Sequence, residues 1–353
     1  MNQSNNRNLF WDIVKCLGII CIILGHSCGN TKVIAFVYLF HIPLFFFVSG
    51  YLFNPEKWKG RLPEFIGSRI ASVWPRYVIY GLLFVLLHNA FVNAGALNDV
   101  LYNHTAMLQN FLNYAMLVTG DSLSGALWFI PVWLIAMFIF ALIVEISRGK
   151  YKELITGVLS LGCAVLGLTL YKREAGIYYH AQTSFIAVGF MYMGYALKRF
   201  AGDGFKSALK WYYIPVCAAA LIFVNQKLRI FVDLSTYSCG DGMVYLTGAI
   251  GIWMVMCIAK YIEKAGFVSK VMAFIGSHSF DIMALHFMVI KLVDIAVNRI
   301  YPKYPEYLIN FPAGYAWIAW PAYLILGLAI PTLIGYGVDL LLGKVKRITK
   351  DKT

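Results

Sequence analysis

Apolar runs long enough to cross a membrane follow one another along the whole chain. A membrane-spanning helix needs about 20 mostly apolar residues, and runs of this kind recur from residue 9 to residue 342. We predict ten spans: 9–28, 33–53, 73–94, 127–146, 154–171, 183–197, 211–224, 243–262, 280–297 and 315–342. The sixth and seventh are short, which leaves open whether they are tilted, half-buried or not spans at all. The pattern predicts an all-α, polytopic integral membrane protein.

Composition agrees with this interpretation and bears on domain organisation. The 353 residues are 60% hydrophobic and only 13% charged, against roughly a quarter charged in a soluble domain. No stretch between the apolar runs is long enough for a separate soluble domain, so residues 1–353 are predicted to form a single membrane domain. The first run is too long for a signal-peptide core and no A-x-A cleavage site follows it. We therefore expect it to remain as a spanning helix.

The basic residues predict the orientation in the membrane. If the N-terminus is cytoplasmic, 21 lysines and arginines fall in cytoplasmic segments and 7 in outer loops, which is the asymmetry of the positive-inside rule. Both termini are therefore predicted to lie in the cytoplasm, with the protein in the inner (plasma) membrane. The net charge of +13 then reflects topology and attraction to anionic lipid. It does not predict a nucleic-acid partner.

The seven cysteines form no CxxC pair, and most lie inside apolar runs. This spacing predicts neither a disulfide framework nor a metal cluster, and we expect no metal cofactor.

Two polar residues interrupt the first apolar run at a spacing that places them together. Lys15 and His26 are eleven residues apart, and at about 100° per residue this is roughly 20° past three full turns. Both side chains therefore lie on one face of the helix, about 16 Å apart along its axis. Ionisable groups inside a membrane span are costly to keep there, so they indicate a functional site.

Each of these residues also has an ordinary structural interpretation. His26 near the outer end could be an interfacial histidine, or a general base that takes a proton from an alcohol attacking an activated acyl carbon. Lys15 could be a lysine that extends its ammonium to the cytoplasmic interface, or a cation for an anionic or carbonyl group entering from the cytosol. Asp12, three residues earlier on the same face, could pair with it.

Two segments that connect predicted spans contain residues that suggest a function beyond connection. The cytoplasmic stretch before the third span places Arg69 and Arg76 seven residues apart, which is two turns of one helical face. The outer segment from Asn93 to Ala126 contains no lysine or arginine but has Asp99, His104 and Asp121. A loop of this length is more often functional than a simple connector.

Several stretches together resemble the acyltransferase-3 family, in family order, from about residue 7 to about residue 297. DIVKCLGIICIILGH resembles its first helix, whose signature is a basic residue, ten further residues and a histidine. HIPLFFFVSGYLF resembles the second helix, SRIASVWPRY the arginine-bearing approach to the third, ALWFIPVWL a later Trp-Phe motif, and IGSHSFDIMALHFMV the penultimate helix. Most members have arginine where this chain has Lys15. Lysine in a DIxK context resembles the branch with fucose 4-O-acetylases and related polysaccharide acetyltransferases.

The resemblance implies an enzyme that moves an acyl group, usually acetyl, from cytosolic acyl-CoA to a hydroxyl of a cell-surface or lipid-linked glycan at the outer face. It implies His26 as the base, Lys15 as a residue that holds the donor or the developing oxyanion, and Arg69 and Arg76 as ligands of the CoA phosphates. The 16 Å between Lys15 and His26 would suit a pantetheine arm. Whether an acyl-histidine forms or transfer is direct stays open.

The remaining candidates are weaker, and each has a structural alternative. His41 could orient the acyl carbonyl or assist His26, Ser49 could donate a hydrogen bond deeper in the tunnel, and His286 occupies a family motif position. Trp128 occupies the Trp-Phe motif but could be an interfacial aromatic. Among the outer acids Asp121, Asp233 and Asp241, all expected to be exposed, we select Asp121 alone for acceptor binding. Lys291 with Asp294, and Glu145 with Arg148, are expected to be ion pairs.

Two other classes of function remain open on the sequence. A transporter or exporter of a polysaccharide or small organic acid would also line a pathway with intramembrane charges, but it has no need of a basic site for CoA. A sensory or partner-binding module is disfavoured because no soluble output domain is present. Acyl-CoA, a glycan acceptor and membrane lipid are the expected partners, and homo-oligomerisation is left open.

Overall fold

The computed structural model describes residues 8–173, 176–302 and 304–350, which form an almost entirely helical bundle. Three of the lysines and arginines counted for the topology prediction, Arg7, Lys303 and Lys352, lie outside the described residues. The helices are α1 (Leu9–Ser27), α2 (Thr31–Tyr38), α3 (His41–Leu52), α4 (Pro55–Trp58), α5 (Leu62–Asn93), α6 (His104–Ala115), α7 (Phe129–Ile146), α8 (Lys152–Lys172), α9 (Ala181–Ala201), α10 (Tyr213–Gln226), α11 (Val244–Ile262), α12 (Phe267–Ser277), α13 (Ser279–Ile300) and α14 (Ala316–Lys350). A two-residue antiparallel hairpin pairs β1 (Val232–Asp233) with β2 (Ser238–Cys239).

The prediction of an all-α polytopic membrane protein is confirmed. Within the described residues, seven helical segments are long and apolar enough to cross a membrane: Leu9–Ser27, Thr31–Leu52, Leu62–Asn93, Ser122–Ile146, Lys152–Lys172, Val244–Ile262 and Ala316–Gly343. The other three predicted spans coincide with α9, α10 and α13. Helix α10 has 14 residues, α13 carries four charged side chains along its length, and α9 is not among the seven segments. The crossing of all three therefore stays a prediction.

Segments predicted to be cytoplasmic meet at one end of the bundle. Arg199 at the end of α9 pairs with Glu153 at the start of α8 at 2.7 Å. Glu145 pairs with Arg148 at 3.2 Å, as expected, and also accepts the backbone N–H of Gly60. These contacts agree with the predicted loop arrangement, while the cytoplasmic position of the termini stays a prediction.

Helix α1 lies inside the bundle because neighbouring helices approach it and each other closely. Gly276 of α12 faces the backbone of Asp12, and a side chain at this position would collide with it. Gly50 of α3 and Gly194 of α9 allow those two helices to touch backbone to backbone. Small residues at such crossings are how membrane helices gain packing area without a water-driven force.

The second predicted span, 33–53, is two helices rather than one. Helix α2 ends at Tyr38 and α3 begins at His41, with Leu39 and Phe40 between them. The backbone carbonyls at the break still accept hydrogen bonds. The Leu44 N–H donates to the Phe40 carbonyl, and Thr247 Oγ1 of α11 donates to the Leu39 carbonyl. The break fixes the relative directions of Tyr38 and His41.

The segment from Asn93 to Ala126, predicted to be an outer loop, folds back along α5 instead of extending away from the bundle. Asn89 exchanges two hydrogen bonds with the backbone of Tyr102, and Trp74 donates to the carbonyl of Ala115 at the end of α6. The α5 residues Trp74 and Asn89 are 15 positions apart, so the segment from Tyr102 to Ala115 follows α5 for about 22 Å. This segment is therefore a packed part of the bundle.

A buried ion pair joins α13 to the segment before α14. The expected pairing of Lys291 with Asp294 is confirmed at 3.0 Å, and both side chains are fully buried. Lys291 also donates to the carbonyls of Leu308 and Asn310, and Asp294 accepts from Gly314 and the hydroxyl of Tyr323. Nearly every hydrogen-bonding position of both charges is satisfied, as burial in a membrane protein requires.

This pair yields a stability prediction. Replacing Asp294 with Asn leaves the Lys291 ammonium buried without its counter-charge, which typically costs about 3–5 kcal/mol. We expect a clearly lower melting temperature in detergent by a size-exclusion thermostability assay. Glu64→Gln, which breaks the exposed Arg61–Glu64 pair, is the control and should change little. Equal melting of both variants would contradict the structural role given to the buried pair.

Candidate functional site

A cavity of about 420 Å³ runs beside α1. Four α1 residues line it at positions i, i+4, i+7 and i+11: Lys15, Ile19, Ile22 and His26. The predicted stripe therefore faces one cavity, with Lys15 near one end and His26 near the other. Helices α3, α7 and α13, the 3₁₀ segment Ser122–Trp128 and the β hairpin provide most of the remaining wall.

The end of the cavity at Lys15 is basic but partly compensated. The expected pairing of Lys15 with Asp12 is confirmed, at 2.6 Å between Nζ and Oδ1. The side chain of Lys15 keeps about a fifth of its surface accessible and lines the cavity. The lysine therefore faces the cavity as a cation already held in position by a carboxylate.

The two arginines of α5 have different surroundings. Arg76 is engaged by two carboxylates: its guanidinium donates twice to Asp281 at 3.0 Å and once to Asp339. Arg69 lies with its guanidinium 5.1 Å from the ring centroid of Phe65, and its Nε is buried with no hydrogen-bond partner among the described residues. Neither arginine lines the cavity itself.

At the other end His26 lies within a cluster of aromatic rings. Its Nδ1 is 3.5 Å from the hydroxyl of Tyr38, and its ring centroid is 5.4 Å from that of His286 and 4.8 Å from that of Phe287. His26 is only partly buried and lines the cavity. The imidazole is thus open to a ligand on one side and supported by side chains on the other.

His286 lies behind His26 and not on the cavity wall. It is completely buried, and its Nδ1 faces the carbonyls of Ile282 and Met283 at 3.1 and 2.9 Å. Because a carbonyl only accepts, Nδ1 carries the proton and the neutral ring keeps a lone pair on Nε2. That Nε2 has no partner among the described residues. The structure brings His286 next to His26, and its predicted role can only be exerted through that neighbour.

His41 lines the cavity in a defined tautomer. Its Nδ1 donates to the Val37 carbonyl at 2.7 Å, which leaves a lone pair on Nε2 of the neutral ring. Tyr38 stands between the two cavity histidines, with ring centroids 4.8 Å from His41 and 6.0 Å from His26. The break between α2 and α3 creates this arrangement.

Ser49 and Trp128 also line the cavity, as their predicted roles require. Ser49 Oγ donates to the Phe45 carbonyl and accepts the indole N–H of Trp133, both at 2.8 Å. Its hydroxyl hydrogen is therefore already used, and Ser49 fixes Trp133 against the wall. The ring of Trp128 packs beside His180, with centroids 5.7 Å apart.

Asp121 is a predicted site residue that does not line the cavity. The expectation that it is exposed is wrong: it is 6% exposed and accepts from His88 Nδ1 at 2.7 Å and from the Leu123 N–H. Burial raises the pKa of Asp121, although the Leu123 N–H and His88 oppose the shift. Asp121 begins the 3₁₀ segment and ties it to α5, so it holds the cavity wall from behind. Its role in acceptor binding stays a prediction.

The structure adds residues that the sequence did not single out. Asp233, which was not selected from the sequence for acceptor binding, lines the cavity together with Ser235. Tyr38 and Phe287 also line it. The sequence could have pointed to Tyr38, because it precedes the candidate His41 by three residues. It could not have placed the hairpin at the cavity, because no local pattern links residue 233 to residue 26. No group of three or more His, Cys, Asp or Glu side chains in the described residues is arranged to hold a metal ion.

Comparison with known proteins gives one match. No curated protein and no solved structure matches this chain. The family described as "Acyltransferase domain" matches residues 8–336, which includes every residue that lines the cavity. The chain's place in the fucose 4-O-acetylase branch stays a prediction. The chain belongs to the acyltransferase-3 family and is a multi-pass membrane acyltransferase.

Proposed function

We propose that the protein is an O-acyltransferase of the inner (plasma) membrane that transfers an acyl group, with acetyl as the proposed group, from cytosolic acyl-CoA to a hydroxyl of a cell-surface or lipid-linked glycan at the outer face. The observation that carries this proposal is the single cavity with Lys15 at one end and His26 at the other. A donor and an acceptor held on opposite sides of the membrane need a path of this kind to meet.

The cytoplasmic end suits an anionic donor headgroup. Arg69 has no carboxylate partner in the described residues, whereas Arg76 is committed to Asp281 and Asp339. A free guanidinium can give a phosphate paired hydrogen bonds. We therefore assign phosphate binding to Arg69, and to Arg76 the task of holding α5 against α13 and α14.

Lys15 is assigned to the donor and not to the reacting carbonyl. It lies about 16 Å along α1 from His26, which is beyond the reach of any side chain acting on a carbonyl attacked beside that histidine. The apolar wall between them, which includes Ile19, Ile22 and Phe45, suits the uncharged arm that links a thioester to its phosphates.

The histidine end suits proton transfer. His26 would accept the proton of the acceptor hydroxyl as its oxygen attacks the thioester carbon, and the thiolate of CoA would leave with a proton. Tyr38, whose hydroxyl is 3.5 Å from His26 Nδ1, is the nearest hydroxyl donor for the developing oxyanion. His286 would position the His26 ring from behind.

The first prediction tests His26 directly. In purified protein supplied with radiolabelled acetyl-CoA and a glycan panel, His26→Ala should lower label transfer by about 10²–10⁴-fold, because a positioned general base contributes that much. His104→Ala, at the exposed start of α6, is the control and should retain activity. If the wild type neither transfers label nor releases CoA, and instead accumulates a solute in proteoliposomes, the protein is a transporter.

The second prediction separates the two arginines. Arg69→Ala should raise the KM for acetyl-CoA by about tenfold or more, because a charge-assisted hydrogen bond is worth about 1.5–3 kcal/mol, and should leave the melting temperature unchanged. Arg76→Ala should lower the melting temperature, because the buried Asp281 carboxylate loses its counter-charge. Kinetics and thermal unfolding on both variants check this. The reverse pattern would show that Arg76 binds the donor.

A further inference from the structure

We propose that the hairpin residue Asp233 forms a subsite for a neutral, hydroxyl-rich acceptor at the outer end of the cavity, and that it discriminates against acidic acceptors. This inference rests on the proposed function and adds the chemical class of the acceptor. Its basis is where the hairpin places one carboxylate and which charges surround it.

The hairpin fixes Asp233 at the cavity. Successive residues of an extended strand point to opposite sides, and in β1 Val232 is buried while Asp233 is partly accessible and lines the cavity. The strand is held from the protein side, since Tyr171 donates its hydroxyl to the Leu234 carbonyl at 3.1 Å. Asp233 is therefore presented by a supported backbone.

One oxygen of the Asp233 carboxylate accepts hydrogen bonds from the protein, and the other is available to a ligand. Oδ1 accepts from the backbone N–H of Ser235 at 2.9 Å and from its hydroxyl at 2.6 Å. No described residue donates to Oδ2. An ionised carboxylate can only accept hydrogen bonds, so the group that completes this site must bring an O–H or N–H.

Asp233 lies near the His26 end of the cavity. Phe231, two residues before it, stacks on Tyr38 with ring centroids 5.9 Å apart, and the Tyr38 hydroxyl is 3.5 Å from His26 Nδ1. Tyr38 and His41 line the cavity together with Asp233. Trp128 lines the same region and offers a flat apolar face. A few polar groups among aromatic walls are typical of a site that orients a small polar ligand.

The charges along the cavity differ at its two ends. Among the described residues that line it, Lys15 is the only lysine or arginine, and it lies at the far end. A carboxylate or phosphate on the acceptor would therefore meet Asp233 with no compensating cation, and like charges placed together oppose binding. A neutral sugar or polyol meets no such penalty.

The test uses Asp233→Asn, which keeps an oxygen for Ser235 and replaces the free oxygen with an N–H₂ donor. With a neutral methyl hexoside as acceptor, we expect its KM to rise about tenfold or more while the KM for acetyl-CoA is unchanged. The preference for the methyl hexoside over a methyl hexuronide should fall. Asp233→Glu should keep that preference, because it restores the carboxylate.

Asp99→Asn is the matched control. Asp99 is another outer-side carboxylate bonded to a serine, Ser122 at 2.7 Å, but it does not line the cavity. It should behave as wild type. An unchanged acceptor KM and an unchanged preference in Asp233→Asn would overturn the proposal, as would the same change in Asp99→Asn.

A binding measurement separates this proposal from the proposed function. Tryptophan fluorescence titration with the methyl hexoside needs no turnover, and weaker binding by Asp233→Asn than by wild type supports the subsite. Equal binding overturns it. A wild type that binds the hexoside through Asp233 but never releases CoA would refute the acyltransfer step alone.

Discussion

An ammonium and an imidazole on one stripe of an apolar helix have to be kept away from lipid, and the arrangement of the bundle follows from this constraint. Ionisable groups inside a membrane are tolerated where they face protein or a cavity. Helix α1 is therefore surrounded by α3, α11, α12, α13 and α14. Close approach at Gly276 and the pairing of Lys15 with Asp12 complete the enclosure. The cavity is the space that the enclosed stripe needs.

The remaining charges fall into two groups that suggest different purposes. Lys291 with Asp294, and Arg76 with Asp281, are pairs in which a buried charge has its counter-charge and further hydrogen bonds. Burying such pairs is costly, and removing one partner is more so, so they specify how helices meet. Arg69 and the free oxygen of Asp233 have no such partner among the described residues, and they lie on opposite sides of the cavity's apolar middle. The unmatched groups are the ones assigned to ligands.

The three histidines at the His26 end of the cavity, His26, His41 and His286, illustrate how backbone geometry defines chemistry. His41 and His286 each point Nδ1 at helix carbonyls four residues earlier, at Val37 and Ile282. Each neutral ring therefore keeps its lone pair on Nε2. His26 has no carbonyl partner of this kind and contacts the hydroxyl of Tyr38 instead. It is consequently the histidine least committed to structure and the most open to a substrate.

The sequence by itself determined seven of the ten predicted spans, the placement of Lys15 and His26 on one face and the ion pairs between near neighbours, because helical periodicity and short separations are local properties. Five of its site candidates, Lys15, His26, His41, Ser49 and Trp128, line the cavity. It could not show that α2 and α3 are separated at Leu39, that Asp121 is tied to His88, or that Arg76 is taken by acids 205 and 263 residues away. In the sequence, Asp121 and Asp233 are both acids in predicted outer segments, and both are equally plausible as acceptor-binding residues. Only tertiary packing, which depends on contacts between residues far apart in the chain, placed one against His88 of α5 and the other on the wall of the cavity.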